Sequence, residues 1–457
     1  MKKYCCTLLA LFLTACGGGG GSSPSNPIVT VQPFAVTSAP ANTVTTPTCV
    51  NPHTNEYPAI YNGYRPTPTP QQRLPVTFQR GISFKDYYPG WIYDNAKGTI
   101  KCTKDEYVKL MYTQALDNIQ SSGATMFWIY NFGYWDSVDA KVMTMQKNTY
   151  HIPEHIVEFI VQEAKKRNLQ VYFAWQFTPS DVNNKYLLSL GDNISVNQLN
   201  TIMDSHHQQM IDTAKVAQRI GISGLAADWN AMNIGNLNDP ILREIYVTKM
   251  SKIIDDVRAN YSGKITYGQD LRPVGDPRIV DKVDALHFSL GGGILTKNEN
   301  VNLSPELIKD AILKEIYSHY LEYKCVPPHD SFRCGTSPST KSIPVYFEIQ
   351  VQSRDDYWVT GWKEDGFCVP GTTVTGSTTP CIQDTYVTDF SVQSIGIEGI
   401  LRAVVAQKEF NVIGVNFHTS YWHSDTLKPG YEGFPNVSQS IRGKPAEKIV
   451  KYWYTGT

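Results

Sequence analysis

One carboxylate stands out by its position. The run Ile343-Pro-Val-Tyr-Phe-Glu-Ile-Gln-Val-Gln-Ser353 is a short apolar stretch rich in β-formers, bounded by proline and opening into Gln and Ser. This is the pattern of a buried strand whose carboxyl end emerges into a polar rim. Its one charged residue is Glu348. At the carboxyl end of a strand in a parallel α/β barrel, such a group is placed for catalytic work; it also fits an ordinary strand-end residue on the surface. Other reactive constellations are weaker. Asp181, Asp192 and Asp204 lack EF-hand spacing, and His206-His207 has no carboxylate at zinc-helix spacing. His151 and His155 are four apart, but Pro153 between them places His151 ahead of the helix. No GxSxG nucleophile elbow occurs. No metal and no cofactor are expected. A net charge of −1 over 457 residues leaves no basic excess for nucleic acid. Nine Trp and 27 Tyr supply many flat rings, suited either to sugar faces or to filling a large core.

The first sixteen residues read as a targeting segment. Lys2 and Lys3 form a positive start, and Leu8 to Leu13 is too short to span a bilayer as a mature helix. Leu13-Thr-Ala-Cys16 resembles a bacterial lipoprotein cleavage box, with Cys16 as the lipidated N-terminus and Gly17 to Ser23 as a flexible tether. No Asp follows Cys16, which by resemblance to Gram-negative lipoproteins favours the outer membrane. No later run approaches a transmembrane length, so the expectation is a soluble body held to the cell envelope by its N-terminal lipid. Of nine Cys, Cys5 and Cys6 leave with the signal and Cys16 carries lipid. The even remainder suggests disulfides in an oxidising compartment. Nearest-neighbour pairing gives Cys49 with Cys102, Cys325 with Cys334, and Cys368 with Cys381. A metal site is the rival reading, against which stands the lack of any CxxC pair.

The elements that must position Glu348 are legible as an alternation. Residues 17–76 are a tether and lead-in rich in Pro, Thr, Ser and Asn, and 77–457 form the body. Strand patterns fall at Phe78 to Phe84, Ala124 to Tyr130, Leu169 to Trp175, Gly224 to Asp228, Lys264 to Gly268, Val283 to Ser289, Pro344 to Glu348 and Val412 to His418. Helical stripes lie between them. Thr103 with Glu106 and Ser195 with Gln198 make capping boxes, Ser304-Pro305 opens another helix, and Gly263 is read as a left-handed cap. Eight strands alternating with helices predict a (β/α)₈ TIM barrel with enlarged, disulfide-stapled loops. The competing open doubly wound sheet lacks a GxGxxG after its first strand.

Several of these stretches resemble clan A retaining glycoside hydrolases, and the family 113 endo-β-mannanases in particular. They are Arg80-Gly-Ile-Ser-Phe84, Ser122-Gly-Ala-Thr-Met-Phe-Trp-Ile-Tyr130, Ala164-Lys-Lys-Arg-Asn-Leu-Gln-Val-Tyr-Phe173, Gly263-Lys-Ile-Thr-Tyr267 running into Val280-Asp-Lys-Val-Asp-Ala-Leu286, and Pro344-Val-Tyr-Phe-Glu348. The resemblance implies a glycosidase acting on carbohydrate, with a nucleophile and an acid/base whose carboxyl groups stand about 5 to 5.5 Å apart. Glu348 matches the nucleophile. The acid/base position, in Gly224-Leu-Ala-Ala-Asp-Trp-Asn230, is Asp228, where the family carries Glu. One methylene less withdraws the carboxyl by roughly 1.5 Å unless the backbone compensates. Three outcomes stay open: a rearranged retaining site, an inverting site with room for a water, or a surface barrel that binds glycan without cutting it. The remaining strand ends offer Tyr130, Trp175, Gln176, Trp229, Asn230, Asp270 and Trp422 for substrate; Trp175 and Trp422 suit sugar stacking, with core packing as the rival reading, and Asp270 suits sugar hydroxyls or a loop cap. His287 reads as a satisfied core histidine. A monomer is expected.

Overall fold

The computed structural model describes residues 49, 65–84, 89–95, 100–135, 151–179, 194–230, 237, 239–268, 275–326, 341–361, 387–421 and 436–457, without the side chains of 91–92, 95, 132–135, 176–179, 229–230 and 419–421. Its eight strands are β1 (Gln79–Phe84), β2 (Met126–Trp135), β3 (Gln170–Pro179), β4 (Gly224–Asn230), β5 (Lys264–Gly268), β6 (Ala285–Leu290), β7 (Pro344–Ile349) and β8 (Asn411–Tyr421). Each pairs in parallel with the next, and β8 pairs with β1, closing the barrel. The fold is a (β/α)₈ TIM barrel within the unit Pro47–Thr457.

Strand parity sorts the side chains. Along β7, Val345, Phe347 and Ile349 pack outward in the main core under the helices, whereas Tyr346 and Glu348 point into the barrel. The interior fill comes from Met126, Trp128, Tyr130, Tyr172, Ala174, Ala226, Ala285 and Tyr346. At the amino-terminal end, the Tyr172 and Tyr346 hydroxyls lie 3.0 Å apart and both reach Gln79. That polar contact plugs the bottom, so chemistry is left to the carboxyl ends of the strands, as in barrels generally.

Helix starts follow local chemistry. The Thr103 and Ser195 capping boxes form ahead of Lys104–Ser121 and Val196–Ile220, and Ser304 caps Pro305–Tyr323. Gly263 does not act as a left-handed cap. The helix Pro240–Asn260 runs directly into extended Tyr261 (φ −145°, ψ 125°), whose hydroxyl donates to the Ile222 carbonyl at 2.9 Å. A Cβ on Gly263 would lie 2.1 Å from that hydroxyl, so the glycine makes room for a ring and does not turn the chain.

Cys49 is joined to Cys102, with Cα atoms 5.2 Å apart, which fastens the lead-in just ahead of the helix Lys104–Ser121. Cys325 is also disulfide-bonded. Cys334, Cys368 and Cys381, like the proposed signal segment and Cys16, lie outside the described residues. No helix among the described residues is long and apolar enough to cross a membrane.

Candidate active site

Asp228 and Glu348 stand near the carboxyl ends of β4 and β7, and His287 and His418 occupy inward positions within β6 and β8. Both carboxyl groups are buried, each residue about 1% exposed. Glu348 accepts a hydrogen bond from the Tyr130 hydroxyl, Oη to Oε1 at 2.7 Å, and Tyr130 in turn accepts from Asn416 Nδ2 at 3.1 Å. His418 Nδ1 stands 3.6 Å from the other oxygen, Oε2. Asp228 accepts from the Gly268 backbone N–H at 3.2 Å on Oδ2, and its Oδ1 lies 3.4 Å from His287 Nε2.

His287 faces both acids. Its Nδ1 is 3.7 Å from Glu348 Oε1 while its Nε2 faces Asp228. One imidazole spans the gap, so the two carboxyl oxygens are no more than about 9.5 Å apart, a ceiling that covers both the retaining and the inverting spacing. Trp128 supports the group from below, stacked on Tyr130 and Tyr172 at 5.8 and 5.0 Å and lying 6.0 Å from the His287 ring. Tyr130 meets His418 edge-on at 4.2 Å.

The shorter acid on β4 is accompanied by an irregular backbone. β3 and β4 pair at Phe173 with Leu225 and again at Trp175 with Trp229, so the register shifts and three β4 residues, Ala226, Ala227 and Asp228, lie opposite the single Ala174 of β3. A bulge bends a strand and re-aims a side chain, and such features recur beside active sites. Gly268 completes the arrangement. A Cβ there would sit 2.0 Å from the His287 carbonyl oxygen, so only glycine lets β5 pass close enough to β6 while its N–H reaches Asp228. Gly268→Ala is therefore expected to lower the unfolding free energy by about 3 kcal/mol, read as a shifted denaturation midpoint at unchanged slope.

Of the residues expected for substrate, Tyr130 joins the cluster. Trp175 does not line the barrel interior. It is 5% exposed in the core between strands and helices, and its indole N–H donates to Thr213 Oγ1 at 2.9 Å on the helix Val196–Ile220. Strand parity turns it outward, so it serves packing and is no sugar platform. The side chains of Gln176, Trp229 and Asn230, and Asp270 and Trp422 altogether, lie outside the described residues. His287, read as an ordinary core histidine, faces both acids instead, and His418 joins it without having been singled out. The signal for both is parity: in β6 the apolar Leu286, Phe288 and Leu290 mark the outward face and leave His287 inward, and in β8 Val415 and Phe417 do the same for Asn416 and His418.

Burial holds the His418 imidazole below its ordinary titration range; Glu348 nearby opposes that shift and His287 adds to it. The folded protein thus binds fewer protons there than the unfolded chain does. The stability from a neutral His418 is complete above the unfolded value, about 6.5, and is lost as pH falls below it. His418→Gln is expected to flatten the fall of melting temperature between about pH 6.5 and 5, checked by parallel thermal melts of variant and wild type.

These observations define a class by fold: a closed (β/α)₈ barrel with two buried carboxyl groups at the carboxyl ends of β4 and β7. Two solved structures of GH113 β-1,4-mannanase, one of them a complex, share that fold with TM-scores of 0.52 and 12% identity, over 83% of this chain and 99% of theirs. The GH113 β-mannanase AaManA from Alicyclobacillus acidocaldarius, solved with ManMIm, is similar at a TM-score of 0.47 and 13% identity, over 83% of this chain and 97% of that one. No protein-family model and no curated protein matches the sequence.

Proposed function

We propose that this protein is a glycoside hydrolase, lipid-anchored through Cys16 in the bacterial cell envelope, that cleaves a polysaccharide or oligosaccharide with retention of configuration. The observation that carries the reading is the one imidazole, His287, facing both Asp228 and Glu348 inside the barrel. In this scheme Glu348 attacks the anomeric carbon and forms a glycosyl ester, while Asp228 gives its proton to the departing glycosidic oxygen. Asp228 then takes a proton from water as that water attacks the ester, releasing sugar and restoring the Glu348 carboxylate. His287 suits this cycle because an imidazole nitrogen donates to a carboxylate and, in the other tautomer, accepts from a carboxylic acid. It can therefore partner Asp228 in both protonation states.

A second reading, a glycan-binding barrel without turnover, is favoured by one feature. The Gly268 N–H draws Asp228 toward β5, and hydrogen bonding of that kind stabilises the ionised carboxylate, which has no proton to give. Incubation of the full chain with a panel of β-linked polysaccharides and aryl glycosides separates the two. Turnover with retained configuration in the first-formed product supports the glycosidase. Binding of one polysaccharide with no turnover on any substrate supports the second reading.

A further inference from the structure

The hydroxyl of Tyr130 has one proton and two lone pairs, and two polar groups of different kinds among the described residues hydrogen-bond with it. Glu348 Oε1 is at 2.7 Å and Asn416 Nδ2 at 3.1 Å. An ionised carboxylate only accepts, and it is a stronger acceptor than a neutral amide. A phenol that donates to Glu348 can then only accept on its other side. The neighbour there must be a donor, which selects an amide over an acid of the same shape.

The barrel is built to hold that amide. Asn416 is fully buried on β8, directly in register with Glu348 on β7 and with Gly81 on β1. A Cβ on Gly81 would fall 2.8 Å from Asn416 Oδ1, so the glycine leaves the space that the amide oxygen occupies while the nitrogen faces Tyr130. Three strands thus converge on one buried amide.

We infer that Asn416 is a positioning residue that commits the Tyr130 hydroxyl proton to Glu348. It touches no reacting atom and acts through the phenol. The geometry stands by itself; the consequence for catalysis rests on the glycosidase reading. In that reaction the committed proton stabilises the charge returning to Glu348 when the glycosyl ester breaks.

Two measurements test this, one without turnover. Neutron diffraction from crystals of the full chain in D₂O is expected to show two deuterons on the Asn416 side-chain atom facing Tyr130 and the Tyr130 deuteron directed at Glu348. An amide oxygen facing Tyr130, or a phenol deuteron pointing at Asn416, overturns the inference. The second is a double-mutant cycle on an activated aryl glycoside. Asn416→Leu is expected to lower kcat/KM about fivefold, the loss of one ordinary hydrogen bond. In the Tyr130→Phe background the same substitution is expected to change kcat/KM less than about twofold. Equal losses in both backgrounds would mean a merely structural asparagine and overturn the inference. If the wild-type chain hydrolyses nothing, the glycosidase reading fails while the neutron map still decides the role of Asn416.

Discussion

Glu348→Ala is expected to lose turnover of an aryl glycoside by about 10⁴-fold or more, the scale on which removal of a covalent nucleophile acts. Sodium azide is expected to restore part of that turnover, with a glycosyl azide of inverted configuration as the product. The physical reason is space and direction. Removing a buried carboxylate at the end of β7 opens a volume that a small anion can fill, on the face of the sugar that Glu348 would attack. Asp228 remains on the opposite face to assist the leaving oxygen, so a single displacement occurs and configuration inverts. Folding should survive, because Tyr130, His287 and His418 lose only a shared partner and the outward core of β7 is untouched. An azide product of retained configuration would reverse the two roles. Wild-type turnover in the alanine variant would remove Glu348 from the chemistry altogether.

The place of Glu348 can be read from the sequence because β7 is a short apolar run with a proline at its start and one charge near its end. The same holds for β5, whose limits Lys264 and Gly268 coincide with the pattern read from the chain. Legibility fails where several strands have to be read together. β2 and β3 extend to Trp135 and Pro179 because they pair with each other through that whole stretch, and no local pattern announces a partner. Residue type alone credits Trp175 to the binding face, although one step of strand parity turns it toward Thr213. His287 and His418 are invisible one at a time, since a lone histidine in an apolar strand most often packs. Parity applied to β6, β7 and β8 at once places both inward beside Glu348. Gly268 and Gly81 give no signal, because their value is the space they leave for other strands.

The position most in need of a physical account is Asp228, and two substitutions there are expected to diverge sharply. Asp228→Ala should cut kcat/KM on unactivated oligosaccharides by about 10² to 10⁴-fold, the range a general acid supplies. On a 2,4-dinitrophenyl glycoside, whose leaving group departs without a proton, kcat/KM should fall less than about tenfold. There the slow step becomes hydrolysis of the glycosyl ester, so kcat and KM fall together. Asp228→Glu restores the residue the resemblance would lead one to expect, and the structure argues that it will not restore function. The register shift before Asp228 and the Gly268 N–H that receives its carboxyl form a site fitted to the shorter side chain. A carboxyl advanced by roughly 1.5 Å overshoots Gly268 and crowds His287, and the variant is expected to be about tenfold less active on every substrate. An Asp228→Glu variant that outperformed wild type would mean that the β4 irregularity does not compensate for the missing methylene. The native site would then be one whose acid falls short, as the glycan-binding reading requires.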